Sequence, residues 1–226
     1  SFELIDENGT VIFSERNGAH RDLPMTPHTY ATPHVGTHTY TVKEVNDKQV
    51  GVTYDETVYT VTVEVKDAGD GTLTVTASDN AIALDFTNTY AADGSVQFAG
   101  TKTLAGKALE GDDFSFELIA EDGTVIETVK NAANGKFAFS AIEYELADAG
   151  KTFTYTVKEV NDGKAGITYD DTVYTVTVEV TDNGDGTLAV TASENAEALN
   201  FTNTYAAAGE IELEGTKTLA GRELAA

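Results

Sequence analysis

GITYDDTVYTVTVEVTDNGDGTLAVTASENAEALNFTNTYAA, residues 166–207, sets out most of a β-fold in one stretch. Within it TVYTVTVEV (172–180) is rich in β-branched and aromatic residues and alternates with a period of two, which is the pattern of a strand with one buried face. A Gly-Asp-Gly turn at 184–186 and a second run, LAVTA (188–192), make the pair a predicted β-hairpin. Outward from this hairpin, FELI, FAFSAIEY, FTYTVKEV and LNFTNTY read as further short strands separated by Gly, Asn and Asp clusters. Only NAEAL and LADAG have the character of a helical turn. The expected fold is therefore all-β, built from tandem antiparallel sandwiches with an immunoglobulin-like arrangement.

The word tandem comes from self-similarity. The same stretch occurs earlier as GVTYDETVYTVTVEVKDAGDGTLTVTASDNAIALDFTNTYAA, residues 51–92, an offset of 166 minus 51, or 115 residues. That offset also carries Glu44 to Glu159, Asn88 to Asn203 and Lys102 to Lys217. The repeat is cut out of phase. SFELIDENGTVI at residues 1–12 matches SFELIAEDGTVI at 115–126, but GTKTLAGKAL, which precedes the second of these, has its counterpart only after Ala208, as GTKTLAGREL. The expected domains are a first repeat, 1–92, lacking its N-terminal lysine strand; a complete repeat, 93–207; and, at 208–226, the first strand of a following repeat or a donor strand. In the first repeat RDLPMTPHTYATPHVGTHTY (21–40) replaces GKFAFSAIEYELADAGKTFTY (135–155). Its prolines cannot donate to a ladder and predict an edge strand or loop there.

Composition narrows the function classes. The 226 residues suffice for two domains with cores of their own, and a formal net charge of −24 argues against nucleic acid or an anionic membrane as partner. There is no Cys, so a covalent brace cannot be a disulfide. No apolar run reaches the roughly 20 residues of a spanning helix, and no signal peptide or lipidation motif is present, so membrane insertion is not expected of this segment.

Three strands carry one unusual polar residue each on the apolar side. Alternate strand residues share a face, so Lys102 falls with Val96, Phe98 and Leu104, Glu159 with Tyr155 and Val157, and Asn203 with Phe201 and Tyr205. Burying an unpaired ionisable group costs several kcal/mol, about the stability of a small domain, so the three are expected to meet one another. An amine, a carboxyl and a carboxamide together are the parts of a Lys-Asn amide crosslink. Desolvation would lower the pKa of Lys102 and raise that of Glu159, giving a neutral nucleophile beside a protonated acid. Glu159 would then hydrogen-bond the Asn203 carbonyl oxygen and shuttle the proton that lets ammonia leave.

GTKTLAGKALEGDDFSFEL, YTVKEV, GITYDDTVYTVTVEV, DGTLAV and FTNTY, in that order, resemble the pilin isopeptide linkage domain of Gram-positive pilus shafts and surface adhesins. The resemblance covers the complete repeat and most of the truncated one. It implies an extracellular location at the bacterial cell surface, a bond from first-strand Lys102 to last-strand Asn203, and Glu159 as the catalytic residue. The first repeat has Glu44 and Asn88 in the corresponding positions without an in-phase lysine, so its crosslink would need one supplied from outside. Lys217 is the candidate, donated head to tail to a neighbouring copy or belonging to the next repeat of one chain; both readings stand.

Other residues read more simply. Asp67, Asp70, Asp182 and Asp185 sit among glycines, but without the closing Glu of a calcium loop they are read as hairpin-turn residues. His20, His28, His34 and His38 fall only in the first repeat and match no standard metal-site spacing. No metal site or cofactor is therefore expected, and with no nucleophile elbow or phosphate loop neither is a turnover enzyme. Two function classes follow: a structural repeat of a surface fibre, pilus or adhesin stalk whose partners are copies or repeats of itself, and a ligand-binding adhesin module that meets a host or cell-surface molecule through loops or the His/Pro segment.

Overall fold

The computed structural model of the chain describes residues 1–16 and 27–222. The first half forms β1 (Phe2–Ile5), β2 (Val11–Glu15), β3 (Gly36–Glu44), β4 (Val52–Thr53), β5 (Val58–Asp67), β6 (Leu73–Ala77) and β7 (Thr89–Tyr90). The second forms β8 (Asp93–Val96), β9 (Ala99–Ala105), β10 (Ser115–Ala120), β11 (Val125–Lys130), β12 (Lys136–Ala138), β13 (Ile142–Glu145), β14 (Thr152–Glu159), β15 (Ile167–Thr168), β16 (Val173–Asp182), β17 (Leu188–Ala192) and β18 (Leu199–Tyr205). Helical structure among the described residues is limited to short 3-10 turns. Two of these, Leu146–Asp148 and Glu194–Glu197, fall on the LADAG and NAEAL motifs. The fold is all-β, with tandem immunoglobulin-like sandwich repeats. By packing, the chain divides into two compact units, one built on Ser1–Ser95 and the other on Val96–Ile142, Thr152–Glu179 and residues from Thr191 onward; Glu143–Lys151 and Val180–Val190 go with the first.

In the second repeat one sheet has the order β11-β10-β14-β16-β17 and the other β12-β9-β18-β15. Aromatic residues fill the space between them. Phe116 of β10 stacks on Phe137 of β12 at 3.9 Å between centroids, and Phe201 of β18 packs on Phe116 and on Tyr174 of β16. The period-two pattern of TVYTVTVEV is realised as written, with Val176, Val178 and Val180 all buried. In the second sheet β9 and β18 run parallel, Phe201 opposite Lys102 and Asn203 opposite Leu104.

The first unit repeats the larger sheet, with order β2-β1-β3-β5-β6, and packs Tyr40, Val42, Val61, Val63 and Val65 on its inner face. Its counterpart of the second sheet is reduced to β4 and β7, two residues each. ALDFTN at 83–88, whose equivalent starts β18, forms no strand here. A strand needs a neighbour for its N–H and C=O groups, and the neighbour along Leu199–Asn203 of β18 is β9, for which the described residues of the first unit hold no equivalent. The expected proline-rich edge or loop is partly corrected. Residues 27–35 hold no strand, but GTHTY opens β3, a central strand between β1 and β5, because it begins at Gly36, beyond the last proline at Pro33. The remainder of that segment, with His20, lies outside the described residues.

Candidate functional site

Lys102, Glu159 and Asn203 meet in the second unit. Parity on β9, β14 and β18 turns each inward, and their residues are 3 %, 8 % and 0 % exposed. Lys102 Nζ lies 2.6 Å from Glu159 Oε1, and Asn203 Nδ2 donates a hydrogen bond to the same oxygen at 2.9 Å. One carboxylate oxygen thus holds both the amine and the amide that the amine would attack. Phe114 covers the amine, its ring centroid 4.7 Å from Nζ, with Lys164 Nζ 4.8 Å from the same ring. The loop bearing Phe114 is fixed by buried Asn131, which accepts from the Phe114 N–H at 2.8 Å and donates to the Glu110 and Ala132 carbonyls.

The electrostatics follow from burial. Desolvation pulls the Lys102 amine below its ordinary pKa against the opposing pull of Glu159, and desolvation likewise pushes Glu159 up against Lys102 and Asn203. Both shifts favour transfer of one proton from ammonium to carboxylate across the short contact, leaving the amine neutral. A cleft of about 590 Å³ lined by Glu159, Lys164, Tyr169 and Asp170 opens beside the site.

One detail departs from the expected arrangement. Glu159 contacts the nitrogen of the Asn203 carboxamide, and the oxygen is taken by the backbone N–H of Asp170, which donates to Asn203 Oδ1 at 2.8 Å. Glu159 Oε1 is already engaged with the two nitrogens, whereas the Asp170 peptide N–H is a permanent donor aimed at the oxygen. The donor on the carbonyl oxygen is a main-chain group and could not be recognised from side-chain types. The Y-D-D/E-T motif before each hairpin, shared by both repeats, was the available signal.

In the first unit Glu44 Oε1 accepts from Asn88 Nδ2 at 2.8 Å, and the Asp55 N–H donates to Asn88 Oδ1 at 2.8 Å. The acid, amide and backbone donor are thus in place. Asn88 is exposed where Asn203 is fully buried, and Glu44 Oε2 is a buried oxygen with no hydrogen-bond partner among the described residues. Lys217 is exposed in the segment after β18, and residues 206–219 form no strand. The expected strand lacks, like ALDFTN, a neighbour to pair with.

The other candidates are structural. Asp67, Asp70, Asp182 and Asp185 accept from backbone N–H groups two residues on and shape the hairpin turns. His34 Nδ1 accepts from the Ala31 N–H, His38 Nε2 meets the His34 carbonyl, and His28 packs edge-on against Tyr30. No group of three or more potential ligands able to hold a metal occurs among the described residues, and no helix among them is long and apolar enough to cross a membrane.

Residues 2–91 and 98–206 match the family described as FctA, the Spy0128-like isopeptide containing domain. Among solved structures, the major pilin protein T3.2 from Streptococcus pyogenes is 20% identical over 76% of this chain and 68% of its own, with a TM-score of 0.22. A major pilin from the same species is 16% identical over 90% of each chain, TM-score 0.27, and its T-13 major pilin 17% identical over 91% of this chain and 88% of its own, TM-score 0.22. No curated protein matches the sequence.

Proposed function

We propose, because this chain belongs to the FctA, Spy0128-like isopeptide containing domain family, that it is a structural segment of an extracellular bacterial surface fibre, its complete repeat tied by an amide between Lys102 and Asn203. The observation that carries this reading is the convergence of Lys102 Nζ and Asn203 Nδ2 on Glu159 Oε1 inside a closed core. Lys102 passes a proton to Glu159 and adds to Asn203 Cγ; Glu159 hands that proton to Nδ2 and takes a second from the Lys102 nitrogen of the adduct; the Cγ–Nδ2 bond breaks and ammonia departs, the second proton staying on Glu159 or leaving as ammonium. Folding supplies proximity, which is worth several powers of ten for an amide exchange otherwise very slow. Each repeat reacts once, so this is maturation and not turnover. Digestion and tandem mass spectrometry should yield a branched peptide joining the segments around Lys102 and Asn203. Recovery of only the two linear peptides contradicts the reading.

The first repeat is read as an acceptor for a Lys217-bearing strand of a second copy. Its sheet presents an apolar trough lined by Leu4, Tyr40, Val42, Val61, Val63 and Leu84, and Glu44 Oε1, which holds Asn88 as Glu159 Oε1 holds Asn203, has among the described residues no counterpart of the Lys102 amine. The segment after Ala208 fits as the occupant. Ile211, Leu213, Lys217 and Leu219 share one strand parity, and Ile211 and Leu213 are 81% and 85% exposed. Transfer of the β9–β18 register by 115 residues sets Lys217 opposite Phe86 and Leu219 opposite Asn88. Strand addition of this kind supplies main-chain hydrogen bonds and fills alternate side-chain pockets. The chain should therefore form SDS-resistant oligomers that Lys217→Ala abolishes while the Lys102 bond persists. Only monomers at high concentration would refute donation.

A further inference from the structure

Asp170 has no part in the exchange of atoms, yet it touches both the turn before β16 and the strand that carries the reacting amide. Its backbone N–H points at Asn203 Oδ1. Its carboxylate reaches the neighbouring residue on the same strand, Oδ2 accepting from the Thr202 N–H at 2.6 Å, and holds its own turn, Oδ1 accepting from the Thr172 N–H at 3.0 Å and from Thr172 Oγ1 at 2.5 Å. The side chain is a staple across the gap that the main-chain donor must bridge.

The first unit repeats the staple where no lysine strand is present. Asp55 Oδ2 accepts from the Thr87 N–H at 2.7 Å and Oδ1 from the Thr57 N–H at 2.9 Å, while the Asp55 N–H holds Asn88 Oδ1. The arrangement therefore depends on the turn and the asparagine strand alone. It exists before an amine arrives.

We propose that Asp170, and Asp55 in the first repeat, is a positioning residue for isopeptide formation: its carboxylate pins the turn to the asparagine strand so that its own backbone N–H serves as the oxyanion donor to the asparagine Oδ1. When the Lys102 amine adds to Cγ, the electron pair of the C=O bond moves onto Oδ1, and a donor already 2.8 Å away stabilises that charge without reorganisation. Collapse of the adduct restores the C=O bond and expels Nδ2 as ammonia, its proton coming through Glu159. The carboxyl and the N–H thus have separate tasks. Glu159 moves protons at the nitrogens, and the Asp170 main chain holds the oxygen.

This inference rests on the crosslinking reading, and the test separates the two. The full chain, Asp170→Ala and Asp170→Asn are followed by intact mass against time and pH after synthesis. A parent chain that never loses ammonia would overturn the crosslink itself. If the parent matures, Asp170→Ala should lose ammonia ten- to a hundredfold more slowly, the range expected for a displaced oxyanion donor. Asp170→Asn, which keeps one acceptor oxygen but removes the charge that also acts on Lys102, should recover part of the rate. Maturation of Asp170→Ala at the parent rate overturns the proposal, as does an Asp170→Asn chain no faster than Asp170→Ala, which would make the charge acting on Lys102, and not the acceptor oxygen, the source of the effect. A comparison in the Lys102→Ala background, which cannot crosslink, distinguishes positioning from folding. Loss of the folded spectrum on adding Asp170→Ala there would make the residue merely structural and overturn the proposal too.

Discussion

Glu159 Oε1 meets two nitrogens, and in the proposed reaction it would take the two protons that the Lys102 nitrogen must lose and give one to Asn203 Nδ2. Glu159→Gln keeps the size and a hydrogen-bonding oxygen but cannot take a proton from an ammonium, so this variant should fold and retain its full unmodified mass. A Glu159→Gln chain that matures at the parent rate would remove Glu159 from the chemistry. Burial gives a second prediction, on pH. Burial raises the folded-state pKa of Glu159 above its ordinary value, and a group raised in this sense contributes stability that is present below the unfolded value and lost as pH rises through the folded one. Lys102→Met removes the cation that opposes the shift. Its unfolding free energy should therefore fall, relative to Lys102→Met/Glu159→Gln, as pH climbs from below the ordinary carboxylic-acid range toward neutrality. A difference between the two variants that does not change with pH in denaturant titrations would contradict burial of Glu159 as the source of the shift.

At the scale of elements the site depends on β9 lying flat between β12 and β18. Gly100 permits this, since a Cβ there would collide with the Leu199 carbonyl oxygen and the Phe137 ring. Gly100→Val should push β9 away from β18, cost about 1–3 kcal/mol as an overpacked core does, and delay crosslinking, all measurable by melting and mass. The equivalent Gly215 has open space around it. Gly215→Val should therefore leave the monomer unchanged and suppress only the oligomers, if the tail docks as β9 does. Most of these elements could be read from the sequence because alternation in TVYTVTVEV and FTYTVKEV reports a buried face directly, and the same parity placed Lys102, Glu159 and Asn203 indoors. What could not be read was pairing. The tail and ALDFTN have strand sequences but no strand, since a ladder requires a partner that alternation cannot supply. The Asp170 contact was equally hidden, because every residue but proline has a backbone N–H and only the fold chooses which one faces the amide.

For the whole molecule, the proposed bond would join β9 to β18 and so close nearly all of the complete repeat into a covalent loop. On the chain-entropy relation developed for disulfides, a loop of that length is worth about 4–5 kcal/mol. The melting temperature of the parent should thus exceed that of Lys102→Ala by many degrees, and tension applied through the repeat's ends would be carried by the bond while the strands between stayed folded. A fibre built from such repeats would be inextensible at each tie, which matches a structural role better than a catalytic one. The most direct test is the intact mass of the purified full chain beside that of Glu159→Ala. The parent should weigh about 17 Da less than its sequence for each bond formed, the mass of the ammonia expelled, and the variant should weigh what its sequence dictates. A parent chain at the full mass of its unmodified sequence would contradict the central claim.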